Sequence, residues 1–252
     1  MKSFELIPYF EEKPWAGQNL KRIFDLKNNP GEAWIVSSIK NKESILLDGT
    51  KLSDFVNENY EILGLKRGEQ FPVLIKLIDS SSDLSIQLHP NNTYALKKGY
   101  PNGKYECWYV LDGTKNDKVI AGLKEVDKDK LLASIKNGTI EKYLIYRDIK
   151  PHDLIKIVPG TVHAILKNSF FLEVQDPLDV TYRLYDYNRV PKRELHIEDS
   201  MNMIYGSFDD KYDLDKYQVK EEINKYVVKI KEYDKFYFEI YKKTYRTFVV
   251  IN

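Results

Sequence analysis

Between residues 32 and 187 the chain is a succession of short runs rich in β-branched and aromatic residues, cut by turn formers at intervals of roughly ten residues. That spacing leaves little room for long helices and demands many short strands. Chains of this kind fold as stacked sheets or a jelly roll, with helical stretches set in as inserts. Strands are expected over 32–37, 44–49, 72–79, 104–111, 119–123, 170–175 and 180–187. Residues 154–165 read as two apolar strands joined by the Pro159-Gly160 turn. Helices are expected over 52–63, capped by Ser53 or Asp54, over 126–137, and from 195 onward. Residues 20–24 fit a short helix or an irregular segment, and 141–148 fit helix or strand equally.

One stretch within this pattern carries chemistry. In Ile86-Gln87-Leu88-His89-Pro90 the alternation of an extended chain puts Gln87 and His89 on one face and Ile86 and Leu88 on the other. An amide oxygen and an imidazole side by side are what a metal site uses when one strand supplies two ligands. Glu106 interrupts an otherwise apolar strand, and burying it is costly without a partner or a cation; Lys104, on the same strand face, is one such partner. Lys76 sits among apolar neighbours in the run 72–79, as either an edge lysine in solvent or a lysine facing a cavity. His163 follows the Pro159-Gly160 turn and, taken alone, reads as an ordinary core or surface histidine. In a β-barrel, Gln87 and His89 from one strand, Glu106 from a second and His163 from a third can line one cavity. Two imidazoles, a carboxylate and an amide suit a borderline divalent cation such as zinc. Asp179 and Arg183 fall on one face of the following strand and are compatible with an ion pair.

Composition narrows the setting. The formal net charge is +1, so no partner bound by bulk charge is expected, neither nucleic acid nor a membrane surface. The single cysteine, Cys107, excludes an internal disulfide framework and suits a reducing compartment. No run of about 18 apolar residues is present, and the N-terminal residues lack the apolar core of a signal peptide, so a cytoplasmic location is expected. The 19 tyrosines, many in alternating segments, favour a β-rich fold.

Five blocks, in this order, resemble type I mannose-6-phosphate isomerases of the short bacterial form. They are Leu74-Ile75-Lys76-Leu77-Ile78, Leu84-Ser85-Ile86-Gln87-Leu88-His89-Pro90, Gly103-Lys104-Tyr105-Glu106-Cys107-Trp108-Tyr109, Val158-Pro159-Gly160-Thr161-Val162-His163-Ala164 and Thr181-Tyr182-Arg183-Leu184-Tyr185-Asp186-Tyr187. Trp15-Ala16-Gly17 and Gly31-Glu32-Ala33-Trp34 also match, and the likeness runs from about residue 10 to about residue 205. The resemblance implies a mainly β, cupin-type jelly-roll barrel with helical inserts and a zinc-dependent conversion between mannose 6-phosphate and fructose 6-phosphate through an enediol. By position it implies zinc ligation by Gln87, His89, Glu106 and His163. It implies catalytic roles for Arg183 and Lys104, the latter as candidate base, and substrate contacts from Lys76, Ser85 and Asp179. The expected partner is a small sugar phosphate, bound by a monomer or weak homo-oligomer.

The expected organisation is a catalytic domain over 1–205, with a helical insert near 123–146. Residues 206–252 would form a linker, polar from Asp209 to Lys216, and the opening strands of a partial C-terminal β segment. Two other functions fit part of the pattern: a cupin that binds a sugar phosphate without turning it over, and a cupin of different chemistry such as an iron-dependent oxygenase. Gln87 as an extra ligand and the lysine–arginine set argue against the second.

Overall fold

The computed structural model describes residues 2–208 and 210–252; Met1 and Asp209, the first residue of the polar stretch noted above, lie outside the described residues. In chain order the strands begin with β1 (Lys2–Ile7), β2 (Tyr9–Glu11), β3 (Glu32–Val36), β4 (Ile45–Leu46), β5 (Leu74–Ser80) and β6 (Ile86–Leu88). They continue with β7 (Glu106–Val110), β8 (Lys118–Leu123), β9 (Leu144–Asp148), β10 (Leu154–Ile157), β11 (His163–Ile165), β12 (Ser169–Gln175) and β13 (Tyr182–Tyr185). The last four are β14 (Tyr217–Glu221), β15 (Lys225–Ile230), β16 (Tyr233–Tyr241) and β17 (Thr247–Ile251). The α-helices are α1 (Asn19–Ile23), α2 (Leu52–Asn59), α3 (Asn92–Lys97), α4 (Lys128–Lys136) and α5 (Ile197–Tyr205).

The strands form three antiparallel sheets, the mainly β architecture expected of a cupin. The central sheet runs β10-β7-β12-β5-β3-β2, one outer sheet runs β13-β6-β11-β8-β9, and the other runs β14-β15-β16-β17-β1-β4. The last strands therefore share a sheet with the first, through β17 against β1 from Lys2–Ile251 to Leu6–Thr247.

Every residue of β3, β5, β7 and β12 is buried, because the central sheet is covered on both faces. Their alternate residues go to different layers. Ile75, Leu77, Cys107, Tyr109, Leu172 and Val174 join one core with Val228, Phe236, Phe238 and Val249 of the C-terminal sheet. Ile78, Trp108, Val110 and Phe171 face the opposite way, into a core with Val119 of β8 and Ile165 of β11. Glu32, Lys76, Glu106, Glu173 and Gln175 take this second direction, whereas Asp79 shares the side of Ile75 and Leu77 and Lys156 that of Cys107. Across neighbouring strands Glu173 lies opposite Lys76 and Trp108, Gln175 opposite Glu106, and Glu32 opposite Ile78. The sheet thus has a largely apolar face and a face on which acids and lysines cluster among apolar residues.

The Pro159-Gly160 turn does not close a hairpin: β10 pairs with β7 in the central sheet, whereas β11 pairs with β6 and β8 in the outer one. The turn carries the chain across, and Gly160, at φ 81°, occupies the left-handed region that favours glycine. Neither Ser53 nor Asp54 caps α2; Lys51 precedes it without a side-chain cap, because burial of Leu52 starts the helix earlier. The ambiguous stretch 141–148 is both things in turn, a 3-10 turn over Ile140–Tyr143 and then β9 against β8. Among the described residues no helix is long and apolar enough to cross a membrane.

The double coverage of the central sheet has a measurable consequence. Leu172→Ala, at a wholly buried position, should cost about 2–5 kcal/mol in urea denaturation. Leu96→Ala, on an exposed helix face, should cost less than about 0.5 kcal/mol. Equal effects would contradict the three-layer packing.

Candidate active site

The site lies between the polar face of the central sheet and the outer sheet that faces it. Three of its groups come together: ligand-capable atoms of His89, Glu106 and His163 all lie within 4.8 Å of one another, and all three residues are buried. The backbone explains how. Gln87 of β6 lies between two register partners, His163 of β11 on one side and Arg183 of β13 on the other. Glu106 opens β7 on the opposing sheet, and Gly103 lets that strand approach. A Cβ at Gly103 would stand 2.7 Å from the Pro90 carbonyl oxygen, a backbone contact that cannot yield. The Lys104 amide accordingly donates to the Pro90 carbonyl at 2.9 Å, and the Gly160 amide donates to the His89 carbonyl at 2.9 Å.

Hydrogen bonds settle the protonation of both imidazoles. His89 Nδ1 is 3.0 Å from the Val180 carbonyl and His163 Nδ1 is 2.8 Å from the Thr161 carbonyl. A carbonyl can only accept, so each Nδ1 carries a proton, and in the neutral rings each Nε2 offers a lone pair to the site. Burial pushes His89 down from an ordinary value of 6.5 to about 3, with the charge of Lys104 acting in the same direction. Burial also lowers His163. Burial alone would raise Glu106; the Lys104 charge is the largest opposing cause, and the carboxyl is held well below the usual range.

The consequence is a set of acceptors facing acceptors. His89 Nε2 stands 3.3 Å from Glu106 Oε2, and His163 Nε2 stands 3.5 Å from Glu106 Oε1. With both rings neutral these are not ion pairs. His89 Nε2 and Glu106 Oε2 are buried and make no hydrogen bond. Buried acceptors without donors are costly, and a cation between them would satisfy all three, so the residues fit a metal centre. Gln87 stands beside them, its Nε2 at 3.4 Å from His163 Nε2 and its Oε1 accepting from Ser85 Oγ at 3.0 Å. Half a turn of the amide would point the oxygen inward, and the Ser85 hydroxyl, which both donates and accepts, could hold either orientation.

Around this cluster runs a chain of paired charges. Lys104 Nζ is 3.3 Å from Glu106 Oε2. Trp108 Nε1 bridges two acids, donating to Glu106 Oε1 at 3.1 Å and to Glu173 Oε2 at 3.0 Å. Lys76 Nζ donates to Glu173 at 2.9 Å, lies 4.0 Å from Glu32 and stands 5.0 Å from the centre of the Trp34 ring. Burial lowers the tendency of Lys76 to stay charged, but Glu173 and Glu32 overcome it and raise the ammonium above its ordinary value. Lys76 is therefore a cavity-facing lysine with partners, not an edge residue in solvent. Asp179 and Arg183 do not pair: Asp179 bonds Lys42 at 2.9 Å, which overcomes burial and keeps the carboxylate low. Arg183 still lines the same cleft as Gln87, Ser85, Lys76, Lys104 and Asp179, and its Nε is buried without a hydrogen bond.

Glu173 was missed from sequence. Its signal was the one used for Glu106, an acid in the middle of an apolar strand. What differs is that Glu173 has Lys76 as a partner only across strands, which no local pattern reveals. Removing one member of that pair should be worse than removing both. Lys76→Met should destabilise the protein by about 3–5 kcal/mol by leaving Glu173 buried and unpaired. The double variant Lys76→Met with Glu173→Leu should recover much of the loss on thermal denaturation. No recovery would mean that the pair is not the source of the cost.

The chain is similar to known proteins in sequence and in fold. Residues 4–126 match the family model of the phosphomannose isomerase type I catalytic domain. A Bacillus subtilis (strain 168) protein named probable mannose-6-phosphate isomerase GmuF is 35% identical over 249 residues, covering 94% of this chain and 78% of the relative. Mannose-6-phosphate isomerase ManA of the same strain is 35% identical over 208 residues, covering 78% of this chain and 66% of the relative. Among solved structures, the mannose 6-phosphate isomerase from Bacillus subtilis superposes with a TM-score of 0.78 at 31% identity, covering 96% of this chain and 81% of that one.

Proposed function

The chain belongs to the type I phosphomannose isomerases, and on that premise we propose that it interconverts mannose 6-phosphate and fructose 6-phosphate at a zinc ion. The observation that carries the reading is the convergence of buried acceptors from His89, Glu106 and His163, within 4.8 Å of one another. These three with Gln87 would hold the ion. Neutral imidazoles, a carboxylate and an amide are a donor set that suits zinc. When bound, zinc would supply Lewis-acid polarisation of the substrate's carbonyl and hydroxyl oxygens.

The chain's own residues supply the remainder. Aldose–ketose isomerisation moves one proton between C1 and C2 through an enediol, and needs a proton carrier, stabilisation of the developing oxyanion and a held substrate. Lys104 Nζ, beside Glu106 on the cleft wall, is the candidate carrier. Arg183, which stays protonated through any working pH, would donate to the enediolate oxygen. Lys76, Ser85 and Asp179 line the same cleft and would contact substrate hydroxyls. Trp15, Ile78, Leu84 and Ile165 give it an apolar floor, which keeps water from competing for the enediolate.

A coupled assay that reports fructose 6-phosphate tests the proposal, run with and without chelator. Turnover should require about one divalent ion per chain and should vanish on chelation. Activity that survives complete metal removal would sink the zinc reading. Thermal stabilisation by mannose 6-phosphate with no turnover would indicate a binding protein instead. Arg183→Ala should lower kcat by about 10²-fold or more while metal content stays near that of the parent. Parallel loss of metal would make Arg183 structural.

A further inference from the structure

The segments that carry His89 and Glu106 are tied to each other. The Gly103 amide donates to Asn92 Oδ1 at 2.8 Å, and the Lys104 amide donates to the Pro90 carbonyl at 2.9 Å. Both segments are also bonded to one stretch far away in sequence, residues 210–217, which leads into β14. Asp210 grips Thr93 of α3 twice, Oδ2 accepting from the amide at 3.1 Å and Oδ1 from the hydroxyl at 2.6 Å. The Tyr212 hydroxyl donates to Asp210 at 3.2 Å, and its ring lies nearly parallel to that of Tyr105, with centres 6.4 Å apart. The Tyr105 hydroxyl donates to the Leu214 carbonyl at 3.0 Å. Lys216 and Tyr217 both donate to Asp176 Oδ1, at 2.5 and 2.6 Å, while Asp176 Oδ2 accepts from the Tyr105 amide at 3.0 Å.

These bonds act close to the candidate metal centre without entering it. Thr93 is separated from His89 only by Pro90, Asn91 and Asn92. Tyr105 directly precedes Glu106, and the two side chains part: the Tyr105 ring lies in the core shared with the C-terminal sheet, whereas Glu106 faces His89 and His163. The stretch 210–217 therefore holds the Glu106 segment by its far side. A cleft of about 460 Å³ runs beside it, lined by Gln70, Asn102, Tyr105, Asp176 and Tyr233 among others. On that side directed hydrogen bonds, more than close packing, fix its position. Without a cation the acceptors of the site oppose one another, and the simplest relief is for His89 and Glu106 to move apart. Contacts that resist this motion keep the ligands at binding distance before an ion arrives, and metal affinity falls when such support is removed.

We propose that residues 210–217 are a strap that holds the His89 and Glu106 segments at metal-binding separation, with Asp210 and Tyr105 as its positioning residues. This deepens the metal-dependent isomerase reading and rests on it for the identity of the ion. It makes the readiness of the metal centre depend on a part of the chain that supplies none of the four proposed ligands.

Zinc affinity of the full chain, measured by competition with a chromophoric chelator well below the melting temperature, tests the assignment. Asp210→Ala should weaken zinc binding about tenfold. Asp210→Asn, whose amide can accept from the Thr93 N–H and donate to the Thr93 hydroxyl, should restore it to within about threefold of the parent. Tyr105→Phe, which keeps the ring and loses the bond to Leu214, should weaken zinc binding to a smaller degree. Lys211→Gln, on an exposed side chain of the same stretch, should leave it unchanged. Once saturated with zinc, Asp210→Ala should turn over within about threefold of the parent at an unchanged KM, a split that general damage to the fold would not give. Parent-like zinc affinity in Asp210→Ala, or equal losses in Asp210→Ala and Asp210→Asn, would overturn the strap while leaving the isomerase reading intact. Hydrogen exchange separates the two readings without any metal. In the metal-free protein, amides over 89–93 and 103–106 should exchange severalfold faster in Asp210→Ala than in the parent, with β16 unchanged. If the parent binds no zinc, the metal reading fails, and unchanged exchange in these two segments would overturn the strap on its own.

Discussion

Three buried acceptors that face one another are the constraint on which the rest of the structure depends. His89 Nε2 and His163 Nε2 approach the two oxygens of Glu106 at 3.3 and 3.5 Å, with no proton between them. Such an arrangement is unfavourable in a protein interior unless something positive joins it. The fold imposes it nonetheless. The Val180 and Thr161 carbonyls lock the imidazole tautomers, the Pro159-Gly160 turn brings β11 across to face β7, and Gly103 lets the Glu106 strand close against His89. Each device is remote in sequence from the others, and all act on one point.

The central sheet makes this placement affordable. The side of it that faces the C-terminal sheet carries a large apolar core, from Ile75 and Leu77 through Leu172 to Phe236 and Phe238. Its other side carries Lys76, Glu106 and Glu173, each matched to a partner across strands or within its own strand. Trp108 ties two of the acids together through a single N–H. Buried charges of this kind add little net stability, since desolvation cancels most of their attraction. What they provide is direction: each carboxylate and ammonium has one orientation that satisfies it, so the cleft is shaped before any substrate arrives.

How much of this was legible in the sequence depended on the reach of each interaction. The alternation in the stretch 86–90 was local, and the strands over 72–79, 104–111 and 170–175 followed from their apolar and aromatic runs. Glu106 stood out because no apolar strand tolerates an acid without cause. His163 did not stand out by itself, since nothing near it in sequence hints that β10 and β11 belong to different sheets; it came in through the barrel cavity it could share with Gln87, His89 and Glu106, and through the ordered blocks of the family likeness. The Asp179–Arg183 pairing read from strand parity failed because Lys42, from a distant turn, reaches Asp179 first. Glu173 was invisible for the same reason: its partner, Lys76, is 97 residues away in sequence and is brought to it by strand pairing. Helix α2 shows the opposite error, a plausible local cap overruled by burial of Leu52.

Glu106, His89, His163 and Gln87 are proposed to surround a single metal position. Anomalous diffraction from crystals of the zinc-loaded protein, recorded on both sides of the zinc absorption edge, tests it most directly. One strong peak per chain is expected, about 2.0–2.2 Å from His89 Nε2, His163 Nε2 and a Glu106 oxygen, with the Gln87 amide oxygen turned toward it. A peak elsewhere, or no peak between these three side chains in crystals that carry stoichiometric zinc, would contradict it.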